Sequence, residues 1–129
     1  NVDDHPRNHA LIRDAEAWHL SPAFDIVGSV RNEQVALSMR FHNDGAVATP
    51  ETLLASAMLL GIDPEIAIAA MLKMADTILG SWRQRFEQIG AEGEQVEKLA
   101  GAFKIARQVL THPFAPIEPP RRRARYRPA

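Results

Sequence analysis

Helix punctuation constrains this chain more than any other feature of its sequence. Thr49-Pro50-Glu51 supplies a side-chain cap, a proline at the first helical position and an acid at the positive end of the helix dipole. Asp63-Pro64-Glu65 repeats the pattern, and Gly61 and Gly90 stand where helices end. Apolar residues then recur in steps of three and four, at Met71, Ala75, Ile78, Trp82, Phe86 and Ile89, and again at Val96, Leu99, Phe103, Ala106 and Leu110. The spacing predicts helices over 50–60, 64–89 and 92–110, the last closed by Pro113. Three amphipathic helices with short links should pack as a small bundle, with Trp82 and Phe86 in its core.

The first 48 residues read differently. Ala10-Leu11-Ile12 and Trp18-His19-Leu20 flank a polar link of hairpin length, which predicts a β-hairpin with Trp18 packing on the rest of the lobe. Val35, Leu37, Met39 and Phe41 alternate with Ala36, Ser38, Arg40 and His42 ahead of Asn43-Asp44-Gly45, predicting one strand over 34–42. The chain thus divides into three regions: loop, hairpin and strand over 1–48, bundle over 49–111, and a Pro/Arg-rich tail over 112–129. The fold class expected is mainly α, with an N-terminal loop and hairpin leading into a helical bundle.

Charge divides along the same boundary. Lys+Arg number 15 against 16 Asp+Glu, but five of the arginines lie in 117–129, so the body has 10 basic and 15 acidic side chains. A basic surface for nucleic acid is therefore confined to Arg121, Arg122, Arg123, Arg125 and Arg127, for which a solvated terminus is the plainer reading. No cysteine is present, which excludes thiol catalysis and Cys-ligated zinc and suits a reducing, cytoplasmic compartment. No apolar run approaches the length of a membrane span. The chain opens on Asn1-Val2-Asp3-Asp4-His5 with no initiator Met, as expected of a piece of a longer protein.

Side chains able to do chemistry crowd the N-terminus: Asp3, Asp4, His5, Arg7, Asn8 and His9, then Asp25 behind Phe24 after the proline turn at Pro22. Taken singly, each reads as a solvated loop residue. Together they match what phosphoryl transfer needs, a carboxylate to take the acceptor proton and an amide and a second carboxylate to hold Mg²⁺. Asp3 and Asn8 stand five apart in a loop running into the hairpin, and Asp25 follows the return strand. Protein kinases place their base, amide and second acid in that order.

Val2-Asp3-Asp4-His5-Pro6-Arg7-Asn8-His9, with Trp18-His19-Leu20-Ser21-Pro22-Ala23-Phe24-Asp25-Ile26, resembles the catalytic core of the HipA family, serine/threonine kinase toxins of bacterial toxin–antitoxin pairs. The likeness continues through Ala36-Leu37-Ser38-Met39 and the helices from Thr49. It implies a kinase-like C-lobe, with Asp3 as catalytic base, Asn8 and Asp25 as Mg²⁺ ligands and His5 in support. It implies ATP and Mg²⁺ as cofactors, a protein substrate in the translation apparatus, and a HipB-like DNA-binding antitoxin as partner of the parent protein. Departures are visible: Asn1-Val2 replaces the kinase His-Arg before the base, Ile26 replaces the glycine of Asp-Phe-Gly, and Arg40 stands where relatives often have glycine. The lysine that pairs the nucleotide's phosphates is also missing, because Lys73, Lys98 and Lys104 all fall on predicted helices. The fragment alone is expected to be inactive.

Two other readings stand beside this one. His5 and His9 lie four apart, and with Asp4, His19, His42 and His112 they would suit a metal-dependent phosphohydrolase if the fold gathered them. The bundle alone would suit a non-catalytic interaction module. Ser29 and Ser38 fall where kinases place an activation segment, although exposed loop serines are common.

Overall fold

The computed structural model describes residues 3–30, 36–39 and 46–114. Asp3–His9 forms a loop containing one 3-10 turn, Pro6–Asn8, and leads into an antiparallel hairpin of β1 (Leu11–Arg13) and β2 (Trp18–Leu20). Leu11 pairs with Leu20 and Arg13 with Trp18, one residue later on the first strand than the apolar runs suggest. The turn is built by Asp14, whose Oδ1 accepts the backbone N–H groups of Glu16 and Ala17, each at 2.8 Å. An irregular segment, 21–30, comes next.

The helices begin where the caps place them. In α1 (Pro50–Leu59), Thr49 Oγ1 accepts the Thr52 N–H at 3.1 Å, while Thr52 Oγ1 accepts the Thr49 N–H at 2.8 Å. In α2 (Pro64–Gln88), Asp63 Oδ1 accepts the Glu65 N–H at 2.9 Å. Gly61 and Gly90 close these helices at φ +79 and +92, a region that a Cβ disfavours.

The third predicted helix is instead three pieces: α3 (Glu94–Leu99), a 3-10 turn over Ala100–Phe103, and α4 (Lys104–Thr111). Ala106 keeps the buried place expected of it, and Val109, three residues on, is buried beside it, while Leu110, expected inside, is 40% exposed. Two residues of the α2 stripe also lie outside: Ile78 is 40% exposed, and Ile89, beyond the last turn, is 78% exposed.

The core lies between α2 and α4, where Ala75 meets Ala106 and Val109 among Met71, Leu72, Leu79 and Ile105. Leu53 of α1 and Phe114 close its edge. At the far end of α2, Trp82 packs on Phe103 with ring centroids 4.6 Å apart, and Phe86 stands 6.4 Å from both rings. Arg83 lies over Trp82, 4.8 Å from its ring, and binds Glu97 through two N–H groups at 2.6 and 3.3 Å, tying α2 to α3. Trp82 and Phe86 thus fill the places expected of them.

Two expectations for the N-terminal region fail. Trp18 does not pack on the helices; it is 64% exposed, because both faces of the hairpin are open. Within the strand predicted over 34–42, residues 36–39 are irregular, with bends at Ser38 and Met39. The Leu37 N–H donates to the Ala46 carbonyl, but among the described residues no regular ladder of such bonds continues along this stretch. The remaining residues of that stretch, the Asn43-Asp44-Gly45 turn and the arginine-rich tail lie outside the described residues. No helix among the described residues is long and apolar enough to cross a membrane.

Candidate functional site

The loop folds around Asn8. His5 starts the 3-10 turn: its carbonyl accepts the Asn8 N–H at 2.8 Å, and its own N–H donates to Asn8 Oδ1 at 3.2 Å. Proline at the next position fixes φ for the turn. These bonds orient the Asn8 carboxamide and bury it to 6% exposure. The opposite end of the same group, Nδ2, donates to Asp25 Oδ2 at 2.8 Å, joining residues 17 apart across the hairpin.

Asp25 meets this amide from an unusual backbone. It is the one non-glycine residue with positive φ among the described residues, at +54. Left-handed backbone is disfavoured by a Cβ, and aspartate is among the few side chains that tolerate it. Strain of this kind persists only where the surroundings hold it, and it gathers at functional sites. Three residues on, Gly28 lies beside the Ala100–Phe103 turn, where a Cβ built on it would meet that of Ala102 at 3.7 Å, an ordinary contact.

Of the other candidates, Asp3 is exposed and its Oδ1 accepts the Ser38 hydroxyl at 3.2 Å. His5 contributes chiefly through its backbone, while its ring Nδ1 is buried without a hydrogen-bond partner. A cavity of about 340 Å³ opens beside Asn8, lined by Asp4, His9, Ser21 and Phe24 among others; Asp3 and Asp25 are not on its wall. The structure therefore joins Asn8 to Asp25 and Asp3 to Ser38. Spacing along the chain suggests the first link; the second has no signal in the sequence, because 35 residues separate the partners.

Comparison with known families decides where this loop belongs. The HipA-like C-terminal domain family matches residues 1–100. The chain belongs to that family. Neither the curated proteins nor the solved structures compared with it give a match.

The match runs from the Asn8 loop through the hairpin, α1, α2 and α3, and stops at the first residue of the 3-10 turn. The loop and the buried face of α2 are therefore both part of the HipA-like domain. Among the described residues its histidines do not converge. His19 pairs with Asp14 at 2.7 Å on the hairpin, His112 with Glu51 at 3.3 Å on α1, and His9 lies 3.9 Å from Asp4; His42 lies outside the described residues. Among the described residues no three His, Cys, Asp or Glu side chains form a metal-holding group. The three lysines sit on α2, α3 and α4, and Lys98 pairs with Glu94 at 2.8 Å.

Proposed function

We propose that this chain is the catalytic-loop portion of a HipA-like serine/threonine protein kinase, which transfers the γ-phosphoryl group of ATP to a protein serine. In this reading Asp3 takes the proton of the acceptor hydroxyl, and Asn8 and Asp25 hold Mg²⁺. The observation that carries it is the 2.8 Å contact between the buried Asn8 amide and Asp25, whose backbone is held left-handed. Asp25 and Asn8 both carry hard oxygen donors of the kind Mg²⁺ takes, in small number and with waters completing the shell; the Asn8 amide turns its N–H to Asp25 and its oxygen to the His5 N–H, so it would turn over to hold the cation. Bound there, Mg²⁺ would neutralise charge on the phosphate oxygens during transfer.

The chain's own residues do the rest. Asp3 is exposed, so a partner's hydroxyl can reach its carboxylate once the Ser38 hydroxyl, now bonded to it, gives way. His5 holds Asn8 through its backbone, and Asn8 holds Asp25 until the cation arrives. The lysine and the phosphate-covering loop that a kinase also needs would come from a separate lobe, and without it the chain is expected to transfer no phosphate. A protein of the translation apparatus as substrate and a small DNA-binding antitoxin as partner belong to the same proposal.

Manganese tests the metal assignment directly, because its unpaired electrons broaden nearby nuclear resonances. Titrated into the 129-residue chain, Mn²⁺ should broaden the amides of Asn8 and Asp25 first, and Asp25→Asn should weaken the effect at least tenfold. Broadening that begins at the acidic helix ends, or none near Asn8, would overturn it. For the base, Asp3→Ala in the full-length protein should lower phosphate transfer to a protein serine by about 10²–10⁴-fold, the usual contribution of general-base catalysis. An unchanged rate would remove Asp3 from that role.

A further inference from the structure

We propose that Ser38 is a phosphoacceptor presented by the chain to its own Asp3, so that this segment occupies the base before any protein substrate does. The proposal rests on the kinase reading of Asp3. Ser38 Oγ donates to Asp3 Oδ1 at 3.2 Å, and both side chains are exposed. A serine hydroxyl donating into a carboxylate at this distance is the arrangement a general base needs before it removes the proton.

Three other serines make local bonds. Ser21, Ser56 and Ser81 donate to backbone carbonyls one to four residues away, the local bonding common to serines on helices and turns. Ser38 instead reaches a carboxylate 35 residues earlier. The segment is held there from its own side, since the Leu37 N–H donates to the Ala46 carbonyl.

In the step proposed, Ser38 Oγ attacks the γ-phosphorus of ATP. The Oγ–P bond forms, the bond from that phosphorus to the bridging oxygen breaks, its electron pair leaves with ADP, and the hydroxyl proton passes to Asp3. The product carries a charge of roughly −1.5 to −2 at pH 7 beside a carboxylate. Like charges at this distance repel, so phosphorylated Ser38 should leave Asp3 and open the base to another serine. Ser38 is then both the first acceptor and the residue that keeps later acceptors out.

The contact can be read without nucleotide. In the 129-residue chain, a nuclear Overhauser effect should join the β protons of Ser38 and Asp3, and its absence would overturn the proposal. With ATP and Mg²⁺, the full-length protein should gain phosphate on Ser38, located by mass spectrometry, at a rate independent of protein concentration. An Asp3→Ala chain mixed with the wild type should stay unlabelled at Ser38; labelling there would refute transfer within one chain. Ser38→Ala should raise transfer to casein, used as a general serine acceptor, by several-fold. If transfer to casein falls instead, Ser38 positions Asp3 and is not its occupant. Phosphate on casein or Ser29 with Ser38 bare sinks the inference and leaves the kinase reading standing; no transfer to any serine overturns both.

Discussion

Asp25 carries two demands at once, a left-handed backbone and an acceptor for a buried amide. The two demands separate under mutation. Asp25→Ala keeps the backbone strain, loses the side chain that tolerates it, and leaves Asn8 Nδ2 without its acceptor, a cost of about 1–3 kcal/mol for a buried donor. Asn in place of Asp tolerates the same backbone and still offers an oxygen to Asn8, but lacks the negative charge. Amide hydrogen exchange at Asn8 and His9 should therefore accelerate in Asp25→Ala and stay close to wild type in Asp25→Asn, while both lose Mn²⁺ broadening. Equal acceleration in both would mean that charge, not the Asn8 contact, holds the loop. The meeting of Asn8 with Asp25 is legible in the sequence, because the two residues flank a hairpin that brings its ends together. The left-handed backbone is not, since nothing in Phe24-Asp25-Ile26 requires it, and the Ser38 contact depends on a path through space that no local pattern records.

The elements are most legible where the signal is local. Thr49 and Asp63 cap their helices within three residues of chain, so both starts can be read from the sequence. The break at Ala100–Phe103 is not local in that sense: it ends at Phe103, whose ring packs on Trp82 of another helix. A stability comparison checks which residues of α4 face the core. Val109→Ala should lower the unfolding free energy by about 2 kcal/mol, two buried methyl groups plus some cavity cost. Leu110→Ala, at a partly exposed site, should cost less than about 1 kcal/mol; the helical repeat alone would rank Leu110 as the buried one of the two. The hairpin turn gives a second test, in pH. Asp14 titrates below the ordinary aspartate range, because the Ala17 and Glu16 N–H groups, and then His19, favour its charged form. A lowered folded value means that the contribution is full above the unfolded value near about 3.9 and is lost as pH falls through the lower folded value. Cross-strand contacts between Ile12 and His19 should thus persist at about pH 5 and fade below about pH 4, whereas Asp14→Asn, which keeps the accepting oxygen, should remove most of that pH dependence.

At the scale of the molecule, the helical core and the site-bearing hairpin are unequal partners. The buried apolar residues among those described, Leu54, Ala67, Ala75, Trp82, Val96, Ala106 and Val109, all lie on helices. The hairpin contributes none, and Leu11, Trp18 and Leu20 share one open face of it. A two-stranded hairpin with no covered face is marginal in water, so its opening should cost little free energy. Native-state hydrogen exchange should accordingly show slow amides around Ala75 and Ala106, opening with the global transition. Amides of β1 and β2 should exchange orders of magnitude faster, with Asn8 between them because its side chain bonds on both sides. Hairpin amides as slow as those of the core would require a cover on the apolar face. Repeating the measurement at two protein concentrations separates the sources: protection that rises with concentration means a second copy supplies the cover, and protection that does not means the chain itself does. Fast exchange at both concentrations would leave the hairpin as the part of the HipA-like domain that opens first, ahead of the link between Asn8 and Asp25.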